Sequence, residues 1–207
     1  MHFIIKSIAV GFCSGVVSSI LWAATRDLRV FGLFQTIVLG MPGIVFGLFV
    51  GAFFYTQQNH VISFIKWFGF SFAAYYIAFR TTIFIAVFIA TEHFFTDAYS
   101  SLVIPSSTML GGLLGGILTL IGFRLYINKL SRMEVILLSI LSAMIGLMWG
   151  FLPVVDVANS SDFLLNKVYM SVLLISWQTI MSGLLGVIVS KHRSVNAGQA
   201  SPISTIG

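Results

Sequence analysis

Arg80 is the residue whose position most strongly constrains the chemistry of this chain. It lies inside an almost unbroken apolar stretch that runs from Val61 to Thr91. A guanidinium cannot become neutral by losing its proton, and placing it in hydrocarbon costs from about 3 to more than 10 kcal/mol. We therefore expect Arg80 to face a protein interior, a partner subunit or a polar cavity, where it would bind an anionic group.

Other polar side chains are predicted to assist Arg80. Gln178 lies at a matching depth in the last apolar stretch, and Gln35 lies nearer the outer end of the second one. Arg26 and Arg29 follow the first stretch on the outer side, where they would raise the local concentration of an anion. The sequence thus predicts a substrate-binding set of Arg80, Gln178, Gln35, Arg26 and Arg29.

A purely structural interpretation of these residues is open as well. Backbone carbonyls, a lipid phosphate, or Tyr75 and Tyr76 would satisfy Arg80, which would then only fix helix packing. Arg26 and Arg29 flank Asp27, and the three would then form an interfacial ion pair.

The composition places the chain in a membrane. Of its 207 residues, 58% are hydrophobic and 8% are charged, whereas soluble domains carry about a quarter charged residues. The mean hydropathy is +1.02. The lipid bilayer is therefore the expected surrounding, and nothing in the charge pattern predicts a nucleic-acid site.

Six apolar runs are long enough to cross a hydrocarbon core of about 30 Å. The predicted spans are Phe3–Thr25, Val30–Tyr55, Trp67–Thr91, Leu102–Phe123, Met133–Val155 and Leu164–Ser190. Their midpoints hold Ser14, Pro42, Arg80, Gly112, Met144 and Gln178. We expect the first run to be a retained helix, although a cleaved signal peptide is the alternative.

The third run requires a choice of boundary because Val61–Thr91 is longer than one upright span. Starting the span near Trp67 leaves Lys66 at one interface and Glu92 at the other. This choice puts Arg80 near the bilayer midplane. A run broken into two half-helices is the alternative.

The basic residues predict the orientation, because they accumulate on the cytoplasmic side of membrane proteins. One side of the predicted spans collects Lys6, Lys66, Arg124, Lys129, Arg132, Lys191 and Arg193. Both termini are therefore predicted to be cytoplasmic, in the inner membrane if the source is a Gram-negative bacterium. Arg26 and Arg29 are exceptions to this trend.

Proline and glycine predict where the helices bend and pack. Pro42 and Gly43 are predicted to interrupt the second span, either as a simple kink, the commoner outcome at such a site, or as a helix break that frees backbone carbonyls. Small residues four apart let helix backbones approach closely in lipid. The predicted packing residues are Gly43, Gly47, Gly51, Gly111, Gly112, Gly115 and Gly116. The same faces could dock a membrane partner subunit or a second copy.

The residues needed for common catalytic sites are sparse. Cys13 is the single cysteine, the histidines are scattered, and each acidic residue falls in a predicted loop or at a span end. We therefore expect no catalytic residues, no metal and no cofactor.

Together these features predict an all-α, polytopic membrane protein built as a bundle of six transmembrane helices. Residues 1–190 form one transmembrane domain, and residues 191–207 form a polar, flexible cytoplasmic tail. The predicted function is a transport component that binds a small polar or anionic solute in a cavity near the bilayer midplane. The alternatives are a structural or assembly subunit of a larger membrane complex, and a membrane-embedded enzyme acting on lipid.

Overall fold

The chain folds into six α-helices. The computed structural model describes residues 1–25, 33–54, 61–91, 97–127, 129–151 and 163–199. The helices are α1 (His2–Thr25), α2 (Leu33–Phe54), α3 (Val61–Thr91), α4 (Asp97–Tyr126), α5 (Arg132–Phe151) and α6 (Phe163–Gln199). Each contains a segment that is long and apolar enough to cross a membrane. Over these ranges no strand is present, which confirms the prediction of an all-helical protein with six spans.

The helices follow one another around the bundle in the order α5, α4, α3, α2, α1, α6. Helices α5 and α6 close this ring, but they pack together sparsely. Helix α6 runs antiparallel to α1, because the Ser182 hydroxyl donates to the Ser7 carbonyl and Ser19 donates to the Ser171 carbonyl. The start of α1 and the end of α6 therefore lie together. We call this end of the bundle proximal and the other end distal.

Two helix pairs use the same packing device, in which a serine fits between two glycines. The Ser71 hydroxyl of α3 donates to the Gly43 carbonyl of α2 at 2.8 Å, and Ser142 of α5 donates to the Gly112 carbonyl of α4 at 2.7 Å. A Cβ added at Gly116 would lie 2.6 Å from the Ser142 Cβ. The missing side chains thus allow the close backbone approach that supports helix association in lipid.

Helix α1 packs against α6 in a similar way. A Cβ added at Gly11 or Gly15 would collide with the α6 backbone, at Gln178 and Ile175 respectively. Close contact along this pair positions Gln178 against the polar face of α1.

Helix α2 is continuous through Pro42, in contrast to the predicted break. Carbonyls along this helix accept hydrogen bonds from its neighbours: Trp67 donates to Gly47, and the Gln178 amide donates to Pro42. Backbone carbonyls of α2 therefore take part in contacts between helices as well as within α2.

Helix α3 is a single continuous helix from Val61 to Thr91, so it contains the predicted span Trp67–Thr91 and is not divided into two half-helices. One predicted boundary differs from the structure. Helix α6 continues to Gln199, into the segment predicted as a polar tail. Hydropathy marks where a helix can cross a membrane, but hydrogen bonding continues a helix beyond that limit.

Candidate functional site

Gln178 is the centre of a polar layer halfway along the bundle. Its side chain is fully buried. Its Oε1 accepts from the Ser14 hydroxyl at 2.5 Å and from the Ser18 hydroxyl at 3.4 Å. Its Nε2 donates to Ser18 Oγ at 3.0 Å and to the Pro42 carbonyl at 3.3 Å. The Gln178 amide thus bonds to three groups, the Ser14 and Ser18 hydroxyls of α1 and the Pro42 carbonyl of α2.

Trp177 extends this layer to the opposite side of the bundle. Its indole N–H donates to Ser142 Oγ at 3.0 Å, and Ser142 in turn donates to the Gly112 carbonyl. The ring of Tyr75 on α3 meets the Trp177 ring edge to face, with centroids 5.1 Å apart. The mid-level layer therefore connects all six helices through Ser14, Ser18, Pro42, Tyr75, Gly112, Ser142, Trp177 and Gln178.

A cavity of about 470 Å³ lies on the distal side of this layer. We call it the distal cavity. Its floor is formed by Tyr75 and Trp177, and its walls come from α1, α3, α4, α5 and α6. The wall residues are Trp22, Ala78, Phe79, Thr82, Ile83, Ser107, Thr108, Gly111, Gly112, Gly115, Gly146, Met170, Leu173 and Leu174.

Among the residues that the structure describes, the lining of the distal cavity is uncharged and almost entirely apolar. Two of its hydroxyls are engaged with backbone carbonyls. Thr82 donates to Ala78 at 2.9 Å, and Thr108 donates to Pro105 at 3.0 Å. Because transfer of an ion into such surroundings is costly, this lining suits an apolar molecule better than an anion.

Two lining residues carry donors that are buried without a protein partner. Neither the Tyr75 hydroxyl nor the Trp22 indole N–H forms a hydrogen bond with the described residues. The Tyr75 hydroxyl lies beside Gln178. Trp22 stacks on Phe79, one turn distal to Tyr75, with ring centroids 5.4 Å apart.

Arg80 lies on the exterior of the bundle and is absent from the cavity lining. It follows Tyr75, a residue of the mid-level layer, by five positions. That separation corresponds to about 7.5 Å along the helix and a rotation of about 140°. The structure therefore separates Arg80 from Gln178 in depth and in direction, in contrast to the predicted pairing. Within the described ranges Arg80 forms no hydrogen bond or ion pair.

The other predicted binding residues are placed only in part. Gln35 lies in the first turn of α2, and its side chain is outside the described part. Contacts of Gly43 with Tyr75 and of Gly40 with Phe72 set the register of α2 against α3. This register brings the backbone of Gln35 close to the level of Arg80. Arg26 and Arg29 lie outside the described residues.

The predicted packing glycines lie at helix contacts. Gly51 faces Trp67, Gly111 faces Thr82, and Gly115 faces Ala78. Gly111, Gly112 and Gly115 also line the distal cavity, so the same residues permit close contact and leave open space.

Metal binding finds no support in the described ranges, where no three His, Cys, Asp or Glu residues group together. Cys13 lies on the exposed face of α1.

Sequence reasoning missed the contribution of Trp22, Trp177 and Ser142. The available signal was the concentration of Ser and Trp at predicted mid-depth and outer positions, where such side chains must find partners. The chain matches no protein-family model, no curated protein and no solved structure.

Proposed function

We propose that this chain is a membrane transport component that binds an apolar or amphipathic small molecule in the distal cavity. The observation that carries the proposal is that the described residues lining that 470 Å³ space are uncharged and nearly all apolar. Pockets for small molecules have volumes of about 300–1,000 Å³ and are lined mostly by apolar and aromatic side chains. The structure therefore favours such a ligand over the small polar or anionic solute predicted from Arg80.

The sparse packing of α5 against α6 supports a path by which a ligand enters the cavity from the bilayer. Gly146 of α5 and Leu173 of α6 both line the cavity. We propose that an apolar ligand passes between these two helices.

The mid-level layer supports a transport role because it separates the distal cavity from the proximal half. Gln178 and Trp177 hydrogen-bond to α1, α2 and α5 at this level. A ligand in the cavity would meet this barrier before it reached the proximal side. We propose that the layer acts as the closed gate of a transporter or of its ligand-binding subunit.

The distribution of charge supports cytoplasmic termini and hence an outward-facing cavity. Seven basic side chains are exposed at the proximal end: Lys6, Lys66, Arg124, Lys129, Arg132, Lys191 and Arg193. Basic residues favour the cytoplasmic side. We propose that the distal cavity opens toward the outer leaflet of the membrane, the inner membrane in a Gram-negative source.

A cavity-filling variant tests the proposed function. Leu173→Trp places a large ring in the distal cavity, whereas Val172→Trp places it on the neighbouring position, which is 40% exposed and faces outward. The new ring and a bound ligand would need the same space, and such overpacking costs about 1–3 kcal/mol. Leu173→Trp should therefore reduce labelling by a photoactivatable fatty alcohol roughly fivefold or more. Val172→Trp should label like the wild type. Equal labelling of all three proteins, or label that maps outside the cavity, would contradict the proposal.

A second function, assembly with a membrane partner, is supported by the exposed position of Arg80. Arg80 shares the outer face of α3 with Ile77 and Phe84. An acidic residue of a partner would compensate the charge at this depth. Under this proposal, Arg80→Gln removes the partner on co-purification, while Arg80→Lys retains part of it. Unchanged recovery of the partner with Arg80→Gln would exclude this role of the charge.

A further inference from the structure

The side chain of Arg193 is held against an aromatic cluster at the proximal end of the bundle. Its guanidinium lies over the ring of Phe3, with Cζ 4.5 Å from the ring centroid. Phe3 is half-buried, stacks on Phe53 of α2 at 5.1 Å and meets Phe54 edge to face at 5.8 Å. Attraction between a cation and a packed ring restricts a side chain that otherwise samples many rotamers. The charge of α6 is therefore placed over the start of α1.

This charge has no acidic partner in the described part of the chain. Arg193 and Lys6 of α1 are both exposed, and neither forms an ion pair within the described ranges. Glu134 at the start of α5 accepts from the Ser131 backbone N–H at 2.7 Å and pairs with His192 at 3.1 Å. Of the six acidic residues in the sequence, the other five lie in or beside the segments that join helices at the distal end. We therefore expect the anion for Arg193 and Lys6 to come from outside the chain.

The donors of Arg193 are available to such an anion. The contact with Phe3 is one between a charge and a ring, and Arg193 forms no hydrogen bond with the described residues. A guanidinium presents its N–H donors as a planar fork that matches two oxygens of one phosphate group. Phosphate is thus the anion that this side chain binds best.

The depth of the two charges matches that of lipid phosphates. Phe3 and Arg193 lie at the proximal ends of the apolar spans His2–Thr25 and Met170–Ser194. Headgroups begin where the hydrocarbon core ends. Lys6 lies about 4.5 Å further inside than Phe3, and a lysine side chain extends far enough along the helix surface to reach that level.

The surface of α1 below Lys6 suits an acyl chain. Ala9, Cys13 and Val17 are exposed, and they follow Lys6 at intervals of three and four residues. Residues at this spacing share one face of a helix. An uncharged, exposed stripe therefore runs from the basic pair toward the middle of the bundle.

We propose that Arg193 and Lys6 form a binding site for the phosphate of an anionic phospholipid, whose acyl chain lies along the exposed stripe of α1. The site is separate from the distal cavity and does not depend on the ligand proposed there. Two cations favour a headgroup of net negative charge, such as phosphatidylglycerol. They disfavour phosphatidylcholine, whose choline group carries a positive charge beside the phosphate.

Retention of lipid tests the site. The full chain is purified in detergent with phosphatidylglycerol or with phosphatidylcholine of the same acyl chains, and bound lipid is measured by native mass spectrometry. The wild type should retain phosphatidylglycerol about fivefold better, the ratio that one basic side chain near anionic lipid contributes. Arg193→Gln should remove most of this preference. An excess of inorganic phosphate should not displace the lipid, and displacement would show a site for free anions and overturn the proposal.

Lys191→Gln is the matched control. Lys191 is exposed and carries the same charge, and it lies two residues before Arg193, a rotation of about 200° around α6. This variant should keep the preference for phosphatidylglycerol. Equal losses in Lys191→Gln and Arg193→Gln would show attraction by diffuse surface charge and would overturn the proposal. Equal retention of the two lipids by the wild type would overturn it as well.

Two further results separate the site from other roles of the charge. Phe3→Leu keeps both cations but removes the ring under Arg193, so it should weaken the preference in protein whose midpoint of thermal unfolding shows that it is folded. If Arg193→Gln instead releases a co-purifying membrane partner and leaves lipid retention unchanged, the charge belongs to a protein interface and the lipid site is wrong. Arg193→Gln alters an exposed side chain and decides the question even if Phe3→Leu does not fold.

Discussion

Trp177 and Gln178 are adjacent in sequence, yet their side chains form hydrogen bonds toward opposite sides of the bundle. Trp177 donates to Ser142 of α5, while Gln178 bonds to Ser14 of α1 and to the Pro42 carbonyl of α2. Neighbouring residues on a helix point about 100° apart. One turn of α6 can therefore hold helices on both sides, and this turn forms the floor of the distal cavity.

Removing the Gln178 amide should destabilise the protein. Gln178→Leu leaves the buried hydroxyls of Ser14 and Ser18 without their acceptor. Hydrogen bonds between membrane helices contribute about 0.6 kcal/mol on average and up to about 1.7 kcal/mol. We expect a loss of about 1–2 kcal/mol in the free energy of unfolding, measured by titration with a denaturing detergent.

Ser176→Ala is the control for that substitution. The Ser176 hydroxyl bonds within its own helix, to the Val172 carbonyl at 2.7 Å. Its loss should change the free energy of unfolding by less than about 0.5 kcal/mol. If Gln178→Leu were no more harmful than Ser176→Ala, the amide would not hold the three helices together.

The bond between Trp177 and Ser142 should be measurable as a coupling energy. Trp177→Phe and Ser142→Ala each remove one side of the 3.0 Å contact. A double-mutant cycle should give a coupling of about 0.6 kcal/mol in the free energy of unfolding. Helices α5 and α6 pack sparsely, so this bond supports a weak contact. Additive effects of the two substitutions would indicate that the bond contributes nothing.

The glycines of α4 should tolerate no side chain where they meet α5. A Cβ added at Gly112 would lie 2.7 Å from the Ser142 carbonyl oxygen, whereas one added at Gly69 of α3 meets no atom within 4 Å. Gly112→Ala should therefore cost about 1–3 kcal/mol in the free energy of unfolding. Gly69→Ala should be neutral or slightly stabilising, because alanine favours helix. Similar effects at the two positions would contradict the close contact.

The sequence predicts the spans well because the thickness of the hydrocarbon core sets their length. It also predicts the depth of Ser14, Pro42 and Gln178, which meet in one layer. The position of Arg80 shows the limit of predicting the depth and direction of a side chain from the sequence. Hydropathy locates a helix along its axis only to within a turn or so, and an offset of five residues rotates a side chain by about 140°.

The distal cavity was not predictable for a different reason. In the sequence, the spacing of Gly111, Gly112 and Gly115 indicates positions of close helix contact. In the structure they also bound open space between α3, α4 and α6. The space beside a glycine is either filled by a neighbouring helix or left open as a cavity. The outcome depends on how three or more helices are placed. That arrangement cannot be obtained from the spacing of glycines on one helix.

Cysteine labelling tests the proposed orientation. Cys13 is the single cysteine of the chain, so a Cys13→Ser background accepts one reporter at a time. Ser194→Cys places a thiol at an exposed position of the proximal end. Since basic residues collect at that end, a membrane-impermeant maleimide added to intact cells should label Ser194→Cys only after permeabilisation. A second proximal reporter, Ser131→Cys, is also exposed and should behave alike. Labelling of either reporter in intact cells would reverse the orientation and turn the distal cavity toward the cytoplasmic leaflet.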